Sequence, residues 1–367
     1  MTEGLADLDT PSLLIDLDTL ERNVAEMQDV ANAAGVRLRP HTKTHKCPDI
    51  ARMQLDAGAG GITVAKLGEA EVMVEAGIDD VLVAYPIVGE RKLERLRALA
   101  ERASVRVTTD SVEVAEGIGR IGRDLGRAVP LLVEVDTGLH RVGRPAGTPT
   151  VELVKELVGI PGIEVLGLLT HAGHAYASTS PEELWTAAGR EGLDLVETAE
   201  RCAAEGIDLR EVSVGSTPTA RIVAGVAGVT EIRPGTYVFS DVQQMRLGLA
   251  AEATCAARVL TTVVAHPTYE RFVLDAGTKA FTSDGGNDPP YPGRGVVAGR
   301  PQLVLDFMNE EHAVGHRTGA NDVRIGDRLE VIPLHVCSTV NMFDEAVGIR
   351  SGEVVRTFAI AARGKMR

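Results

Sequence analysis

Aromatic side chains are scarce in this sequence, since Phe, Trp and Tyr together make up 3% of its 367 residues. A core with few rings must be filled by Val, Leu, Ile and Ala, which is typical of a parallel sheet buried on both faces. The remaining composition, with 44% hydrophobic and 25% charged residues, is that of a globular chain with little room for long disorder. We therefore expect one large α/β domain and a smaller second domain.

Three other patterns are missing. The net charge is −14 and no run of about five basic residues occurs, so we expect no nucleic-acid partner. No apolar stretch reaches about 18 residues and no cleavable leader opens the chain, so we expect no membrane partner and a cytoplasmic location. The 4 cysteines are too few for a disulfide framework in a chain of this length, which predicts reduced thiols.

Eight short runs rich in β-branched residues precede residue 240. They are residues 36–40, 61–65, 80–86, 104–110, 130–136, 164–171, 211–216 and 230–237. They alternate with helical stretches, of which the first places on one face Leu20, Val24, Met27 and Ala31. Asp18 and Glu21 resemble a capping box at the start of that helix. Eight such strand–helix units predict a closed (β/α)8 TIM barrel.

After about residue 250 the helical periodicity fades. Runs such as "CAARVLTTVVAH" and "DRLEVIPLHVC" are separated by Gly, Pro and Asp, which predicts an antiparallel β domain. The opening run "PSLLIDL" precedes the first barrel unit and has no barrel position, so we assign it to the β domain. The predicted division is a barrel of residues 20–248 and a β domain of residues 1–19 plus 249–367.

Polar residues lie at the end of almost every predicted barrel strand or directly after it. In such barrels the chemistry lies at the carboxyl ends of the strands. The residues there are Lys43, Asp110, Asp136, His140, Arg141, His171, His174, Ser216, Thr217 and Tyr237. Solvent exposure of strand ends explains any one of them, but it explains the whole set poorly.

The stretch "RLRPHTKTHKCPD", residues 37–49, leaves two alternatives open. It could form a metal site from His41, His45 and Cys47, or one of its lysines could anchor a cofactor covalently. Further along, "GSTPT" (215–219) combines a glycine, two hydroxyls and a helix start, which suits a phosphate group. "RPGTY" (233–237) adds a second glycine, Gly235, at the next strand end.

His335 and Cys337 lie two positions apart in "EVIPLHVC". If this run is a strand, both side chains point to the same face and can share one metal ion. Water would complete the coordination shell, which leaves the open positions that a catalytic metal needs. A buried cysteine beside a hydrogen-bonded histidine is the alternative.

A lysine after the first strand, a phosphate site at the later strands and a trailing β domain together resemble the fold-type III pyridoxal-phosphate enzymes, the alanine racemase-like barrels. Within this group "RPHTKTHK", "VEVDTGLHRVG", "EIRPGTYVF", "LDAGTKA", "NEEHAV", "HVCSTVN" and "AARGK" are similar to the D-threonine aldolase and D-serine dehydratase family. These motifs run in order from Asp9 to Lys365.

The resemblance implies a role for each matching residue. Lys43 would form the Schiff base with pyridoxal 5'-phosphate, with Lys46 as a competitor that fits the pattern less well. Arg141 would face the cofactor ring, and the phosphate would be held by Gly215, Ser216, Thr217, Gly235 and Tyr237. His335 and Cys337 would bind a divalent metal, Zn²⁺ or alternatively Mn²⁺. His171 is the candidate for the proton of the substrate's β-hydroxyl.

The implied function is a lyase that acts on D-β-hydroxy-α-amino acids, and a homodimer is expected. The order His-x-Cys, "THAGHAY" and "GSTPT" look more like the dehydratases, whereas Thr339, Asn341 and Asp344 look more like the aldolases. We interpret the chain as a D-threonine aldolase, with D-serine or D-threo-3-hydroxyaspartate dehydratase as the alternative. A racemase would need a second base such as Tyr269 or Tyr291 from the β domain. A non-catalytic pyridoxal-phosphate carrier and a barrel without cofactor are the remaining alternatives.

Overall fold

The computed structural model describes residues 4–284, 290–319 and 322–367. The chain forms two compact units. The barrel unit consists of Glu26–Lys43, Ile50–Gly235 and Gly364–Arg367. The β unit consists of the described residues of Met1–Ala25, Thr44–Asp49 and Thr236–Arg363.

The strands and helices follow one another in regular alternation through the first two thirds of the chain. The strands are β1 (Ser12–Asp16), β2 (Arg37–Leu38), β3 (Ile62–Val64), β4 (Asp80–Pro86), β5 (Ser104–Thr109), β6 (Val129–Asp136), β7 (Arg144–Pro145), β8 (Ile163–Leu169), β9 (Glu211–Val214), β10 (Glu231–Ile232), β11 (Ala257–Ala265), β12 (Arg271–Leu274), β13 (Gly295–Val297), β14 (Leu303–Met308), β15 (Ala313–Arg317), β16 (Arg328–Pro333), β17 (Glu345–Arg350) and β18 (Glu353–Ala359). The α-helices are α1 (Leu17–Ala34), α2 (Pro48–Asp56), α3 (Leu67–Glu75), α4 (Glu90–Ala100), α5 (Val112–Asp124), α6 (Thr148–Leu157), α7 (Pro181–Ala204), α8 (Thr217–Val223), α9 (Val242–Arg246) and α10 (Val336–Val340).

The barrel unit contains an eight-stranded parallel sheet in the order β2-β10-β9-β8-β6-β5-β4-β3, with the short β7 paired to β6. A parallel bridge between His41 and Thr63 joins the two ends of this order and closes the ring. The amide of Thr42 donates to the carbonyl of Thr63 at 2.8 Å, and the amide of Thr63 donates to that of Pro40 at 2.8 Å. The eight predicted strands and the barrel fold are confirmed.

Helix α1 shows why the sequence pattern produced a correct prediction. Leu20, Val24, Met27 and Ala31 are all buried, so one apolar face of the helix is covered. The predicted capping box was wrong, because Oδ1 of Asp16 accepts the amide of Thr19 at 2.8 Å. Asp18 pairs instead with Arg350 at 3.1 Å. Asp16, the last residue of β1, caps the helix, so α1 begins at Leu17 and not after Asp18.

The β unit contains one sheet in the order β12-β15-β14-β13-β16-β11-β1-β17-β18. Strand β1 pairs antiparallel with β11 and parallel with β17, so the opening run lies inside this sheet. The predicted boundaries lay between residues 19 and 20 and between residues 248 and 249. The boundaries of the two units lie elsewhere, for example between Gly235 and Thr236. The start of α1 belongs to the β unit because the side chain of Asn23 donates to the carbonyls of Val238 and Thr254. Among the residues that the structure describes, no helix has the length and apolar character that crossing a membrane requires.

Two helical glycines of the barrel unit give a matched test of the packing. A Cβ on Gly122 of α5 would lie 1.8 Å from the carbonyl oxygen of Gly162, whereas a Cβ on Gly189 of α7 would meet nothing within 4 Å. We expect Gly122→Ala to lower the free energy of unfolding by about 1–3 kcal/mol, because the backbone must shift. Gly189→Ala should raise it by about 0.5–1 kcal/mol through helix propensity. Urea unfolding measures both, and equal effects of the two variants would contradict this packing.

Candidate active site

Lys43 follows the first barrel strand. Its amide donates to Nδ1 of His41 at 3.4 Å, and the His41 ring hydrogen-bonds the backbone of Thr63. Lys46 is buried with a φ of 52°, and its carbonyl accepts the amide of Ala362 at 3.0 Å. Lys43 therefore belongs to the barrel unit, and Lys46 belongs to the β unit.

Two histidines share the surroundings of Lys43. Burial, followed by the charges of Lys43, His171 and Arg233, lowers the pKa of His41 well below its usual range. Burial, followed by the charges of Lys43, Arg141 and Arg233, does the same to the pKa of His171. Both imidazoles are therefore neutral near pH 7, and a neutral imidazole can accept a proton.

The "GSTPT" segment connects β9 to α8. Gly215 has a φ of +104°, which favours glycine, and its amide donates to Oε1 of Glu191 at 2.9 Å. The amide of Ser216 donates to Oγ1 of Thr219 at 3.1 Å. Pro218 has no amide hydrogen, and the amide of Thr219 donates to the carbonyl of Ser216 at 3.2 Å. An anion at this position would therefore be met by the hydroxyls of Ser216 and Thr217.

The other residues predicted to contact a cofactor are divided between the units. Arg141 belongs to the barrel unit, and its side chain is 54% exposed and 3.9 Å from Glu134. Gly235 is the last residue of the barrel segment, and Tyr237 lies in a 3-10 turn of the β unit. Both are buried. The barrel unit thus brings together Lys43, His171, Arg141 and the residues of "GSTPT".

Three buried charged residues beside this site were not predicted from the sequence. Arg233 follows β10, Glu134 lies in β6 and Glu191 lies in α7, and each is less than a tenth exposed. Burial raises the pKa of Glu134 and of Glu191. A charged residue within an otherwise apolar strand run, as in "LLVEVD" and "EIRPG", is a signal that could have identified two of them. Glu191 lies on a polar helix and gives no such signal.

His335 and Cys337 lie in a different local structure from the one predicted. Strand β16 ends at Pro333, His335 precedes α10, and Cys337 lies in the first turn of that helix. The predicted strand over "EVIPLHVC" was therefore wrong in its last residues. The two side chains nevertheless hydrogen-bond each other, because residues in the first turn of a helix can approach the side chain that precedes it.

The surroundings of this pair are polar. Nδ1 of His335 lies 2.7 Å from Oδ2 of Asp284, which also accepts the hydroxyl of Ser338 at 3.0 Å. Burial alone would lower the pKa of His335, but the hydrogen bonds to Cys337 and Asp284 and the charges of Cys337 and Asp241 raise it to about 9. Burial raises the pKa of Asp241 to about 6, and its Oδ2 accepts the amide of Val336 at 3.1 Å.

Cys337 has two hydroxyl neighbours. Its Sγ lies 3.2 Å from Oγ1 of Thr44 and 3.7 Å from Oγ1 of Thr236. Within residues 4–284, 290–319 and 322–367, no three side chains of His, Cys, Asp or Glu form a group that could hold a metal. The alternative metal site of His41, His45 and Cys47 is therefore not formed. Nδ1 of His45 instead accepts the amide of Cys47 at 3.1 Å.

Comparison with known proteins gives a consistent result along the whole chain. The family model described as "Alanine racemase, N-terminal domain" matches residues 15–243, and a serine dehydratase domain model matches residues 256–349. The D-threo-3-hydroxyaspartate dehydratase of Delftia sp. (strain HT23) is 37% identical over 98% of this chain and 98% of its own length. The chain belongs to the D-threonine aldolase and D-serine dehydratase family.

Two further members of this family also match the chain over almost its whole length. The D-threonine aldolase of Arthrobacter sp. is 34% identical over 100% of this chain and 95% of its own length. The crystal structure of D-threonine aldolase from Filomicrobium marinum matches with a TM-score of 0.94 at 32% identity, over 100% of this chain and 98% of that one. These relatives are lyases, and the chain is an enzyme of this pyridoxal-phosphate-dependent lyase family.

The depressed pKa of His171 has a consequence for stability. Because its pKa is lower in the folded than in the unfolded chain, the unfolded chain binds more protons as the pH falls below about 6.5. His171 thus contributes to a loss of stability between about pH 6.5 and its lower folded pKa. We expect His171→Gln to make the decrease of unfolding free energy between about pH 7.5 and 5.5 shallower. Urea unfolding at several pH values tests this, and parallel pH profiles of the variant and the wild type would refute it.

Proposed function

We propose that this enzyme is a pyridoxal-phosphate- and divalent-metal-dependent lyase of D-β-hydroxy-α-amino acids, and that it acts as a D-threonine aldolase. The observation that carries the proposal is the neutral His171 beside Lys43. Retro-aldol cleavage begins with removal of the β-hydroxyl proton, and a histidine held neutral by burial and by nearby cations can accept that proton at pH 7.

The residues predicted to hold the cofactor fit it chemically. A primary amine suits an aldehyde, and Lys43 provides one at the carboxyl end of the first strand. Gly215 has no side chain to obstruct an approaching group, and the phosphate would be held by the hydroxyls of Ser216 and Thr217 together with Gly235 and Tyr237. When bound, pyridoxal phosphate supplies an electron sink for the bond that breaks at Cα.

We assign the anchoring of the cofactor and the proton transfers to side chains of the protein. We assign to Lys43 the anchoring of the cofactor and to Arg141 a position facing its ring. His171 would accept the β-hydroxyl proton during aldol cleavage and return a proton afterwards. In a dehydration Lys43 would instead remove the Cα proton, so the same residues serve both reactions.

We assign the divalent metal, Zn²⁺ or alternatively Mn²⁺, to His335 and Cys337. An imidazole and a thiol that already contact each other form a donor pair suited to Zn²⁺, and water would complete the shell. A metal held there would act as a Lewis acid toward the substrate's hydroxyl oxygen. Support comes from the D-threo-3-hydroxyaspartate dehydratase, for which a cysteine-to-alanine variant is described in the metal-free form.

The second candidate function is a D-serine or D-threo-3-hydroxyaspartate dehydratase. A specific observation favours it. The histidine and the cysteine replaced in two structures of the D-threo-3-hydroxyaspartate dehydratase lie two positions apart, as His335 and Cys337 do. A racemase is less well supported, since Tyr269 is stacked on Arg317 at 3.4 Å and Tyr291 packs against a hydrophobic cluster that contains Val242.

Three further proposals complete this assignment. Residues 20–248 would carry the cofactor, and residues 1–19 with 249–367 would carry the metal. We propose a homodimer, as implied by the similarity to this family. We also propose a cytoplasmic location, which is supported by the free thiols of all four cysteines.

The products distinguish the two reactions. We expect D-threonine, incubated with the enzyme, pyridoxal phosphate and Zn²⁺ or Mn²⁺, to give glycine and acetaldehyde. Formation of 2-oxobutyrate and ammonia would replace the aldolase assignment with the dehydratase. Lys43→Ala should abolish activity, and borohydride reduction followed by peptide mapping should find the cofactor on Lys43. Label on Lys46 would overturn the anchor assignment, and absence of label on any lysine would overturn the cofactor assignment.

Asp284 offers a test of the metal site that does not depend on activity. A histidine that donates through Nδ1 to a carboxylate presents Nε2 to a metal, and loss of such a partner lowers metal affinity by about 10- to 100-fold. We expect this loss for Asp284→Asn in equilibrium dialysis with Zn²⁺. Asp306→Asn is the matched control, because Asp306 makes the same 2.7 Å contact with His316 in the β unit. Equal affinities of the two variants would contradict the role of Asp284.

A further inference from the structure

The β unit contains a cavity of about 520 Å³ that the proposed function does not use. The charged residues that line it are Glu252, Arg258, Arg300, Arg328 and Glu330. Its volume lies within the range of about 300–1,000 Å³ that is usual for sites of small ligands. None of these five residues is assigned to the cofactor, the metal or a proton transfer, so this arginine cavity calls for a separate explanation.

The pairing of β11 with β16 forms one wall of the arginine cavity. In this antiparallel pair Leu260 lies opposite Glu330. Opposite residues project from the same face of a sheet, and so do residues two positions apart on one strand. Arg258 and Arg328 therefore share this face with Leu260 and Glu330. Nη1 of Arg258 donates to Oε2 of Glu330 at 2.9 Å, so these two charges compensate each other.

Arg328 attaches the opening segment of the chain to this wall. Its Nη1 donates to the carbonyl of Ala6 at 3.1 Å, and its Nη2 donates to that of Leu8 at 2.5 Å. Leu5 of the same segment lines the cavity and packs against a hydrophobic cluster that contains Leu260. Carbonyl oxygens carry no full charge. Arg328 therefore has hydrogen bonds but no ion pair within the described part of the chain.

Arg300 lies in the turn that follows β13. Its amide donates to the carbonyl of Val297 at 3.1 Å, and the amide of Gly299 donates to Oε1 of Glu252 at 2.6 Å. These bonds fix the backbone of the turn. The side chain of Arg300 is half-buried and has neither a hydrogen bond nor an ion pair among the residues that the structure describes. Its five N–H donors are thus available to a ligand.

The arginine cavity is positively charged, although the chain as a whole is acidic. It contains three guanidinium groups and two carboxylates, whereas the net charge of the chain is −14. Neither carboxylate forms an ion pair with Arg300 or Arg328. A cation that is partly removed from water is unfavourable unless an anion compensates it. Two such guanidinium groups beside the apolar side chain of Leu260 suit a small ligand with two negative charges on oxygen atoms.

We propose that the arginine cavity binds a small organic dianion, and that Arg300 and Arg328 hold its oxygen atoms. A short dicarboxylate and a phosphate monoester share this chemistry. The inference does not rest on the proposed function, because the cavity lies apart from the residues assigned to the reaction and its occupancy is measured without turnover.

Calorimetric titration of the enzyme with pyridoxal phosphate present tests the proposal. The probes are succinate, glycerol 2-phosphate and the neutral analogue succinamide, all at constant ionic strength. We expect at least one of the two anions to bind and succinamide not to bind. Binding of succinate alone identifies a dicarboxylate site, and binding of glycerol 2-phosphate alone identifies a phosphate monoester site. Binding of both supports a site that recognises the shared dianion.

Variants locate the bound anion. Arg300→Gln should weaken the binding of the anion about 10- to 100-fold, because it removes charge-assisted hydrogen bonds. This variant loses no hydrogen bond of the folded chain and should fold as the wild type does. Arg271→Gln is the matched control, since Arg271 is an exposed arginine of β12 in the same sheet, outside the cavity. It removes the same charge and should leave the affinity within about twofold.

Three results would each overturn the proposal. They are no heat from either anion up to about 10 mM, equal binding of succinamide, and an unchanged affinity of Arg300→Gln. The last result would place the anion elsewhere in the protein, for example in the catalytic site. A protein that binds the anion through Arg300 but acts on no D-β-hydroxy-α-amino acid would refute the proposed function and support this inference.

Discussion

The parallel pairing of β2, the first barrel strand, with β10, the last, determines where the polar strand ends lie. Without this pairing, the ends of these two strands would lie at opposite edges of the sheet. With this pairing, β2, β10, β9 and β8 are consecutive neighbours, and the residues that follow them lie at one edge. Lys43 therefore lies in the electrostatic surroundings of His171 and Arg233. The cationic, water-poor character of this edge follows from the topology and keeps both histidines neutral.

Much of the fold could be predicted from the sequence, since buried parallel strands have recognisable β-branched runs and the helices between them have apolar faces. The charged residues inside the barrel could not be predicted in this way. Arg39, Glu231 and Arg233 occupy positions where a pattern of apolar and polar residues indicates exposure, yet all three are buried. The pairing of β2 with β10 brings their opposite charges together, and no local pattern reports a partner that is distant in the chain.

The candidate site was predicted unevenly for a related reason. Lys43 and His171 follow predicted strands, so their common location follows from the barrel. The prediction for His335 and Cys337 depended on the end of a short apolar run, where strand and helix are hard to distinguish. Helix α10 begins there because Asp241, distant in the sequence, accepts the amide of Val336. The contact of Asp284 with His335 could not be predicted from the sequence, since a single aspartate in a glycine-rich stretch is commonplace.

Strand β1 has a consequence for the order in which the chain acquires its structure. It lies between β11 and β17 in the sheet of the β unit, although it is synthesised before the first barrel strand. During translation its backbone groups lack these partners until the whole barrel segment has left the ribosome. The β unit therefore cannot fold as a domain that simply follows the barrel, and a fragment that begins after the barrel would contain a sheet divided at the place of β1.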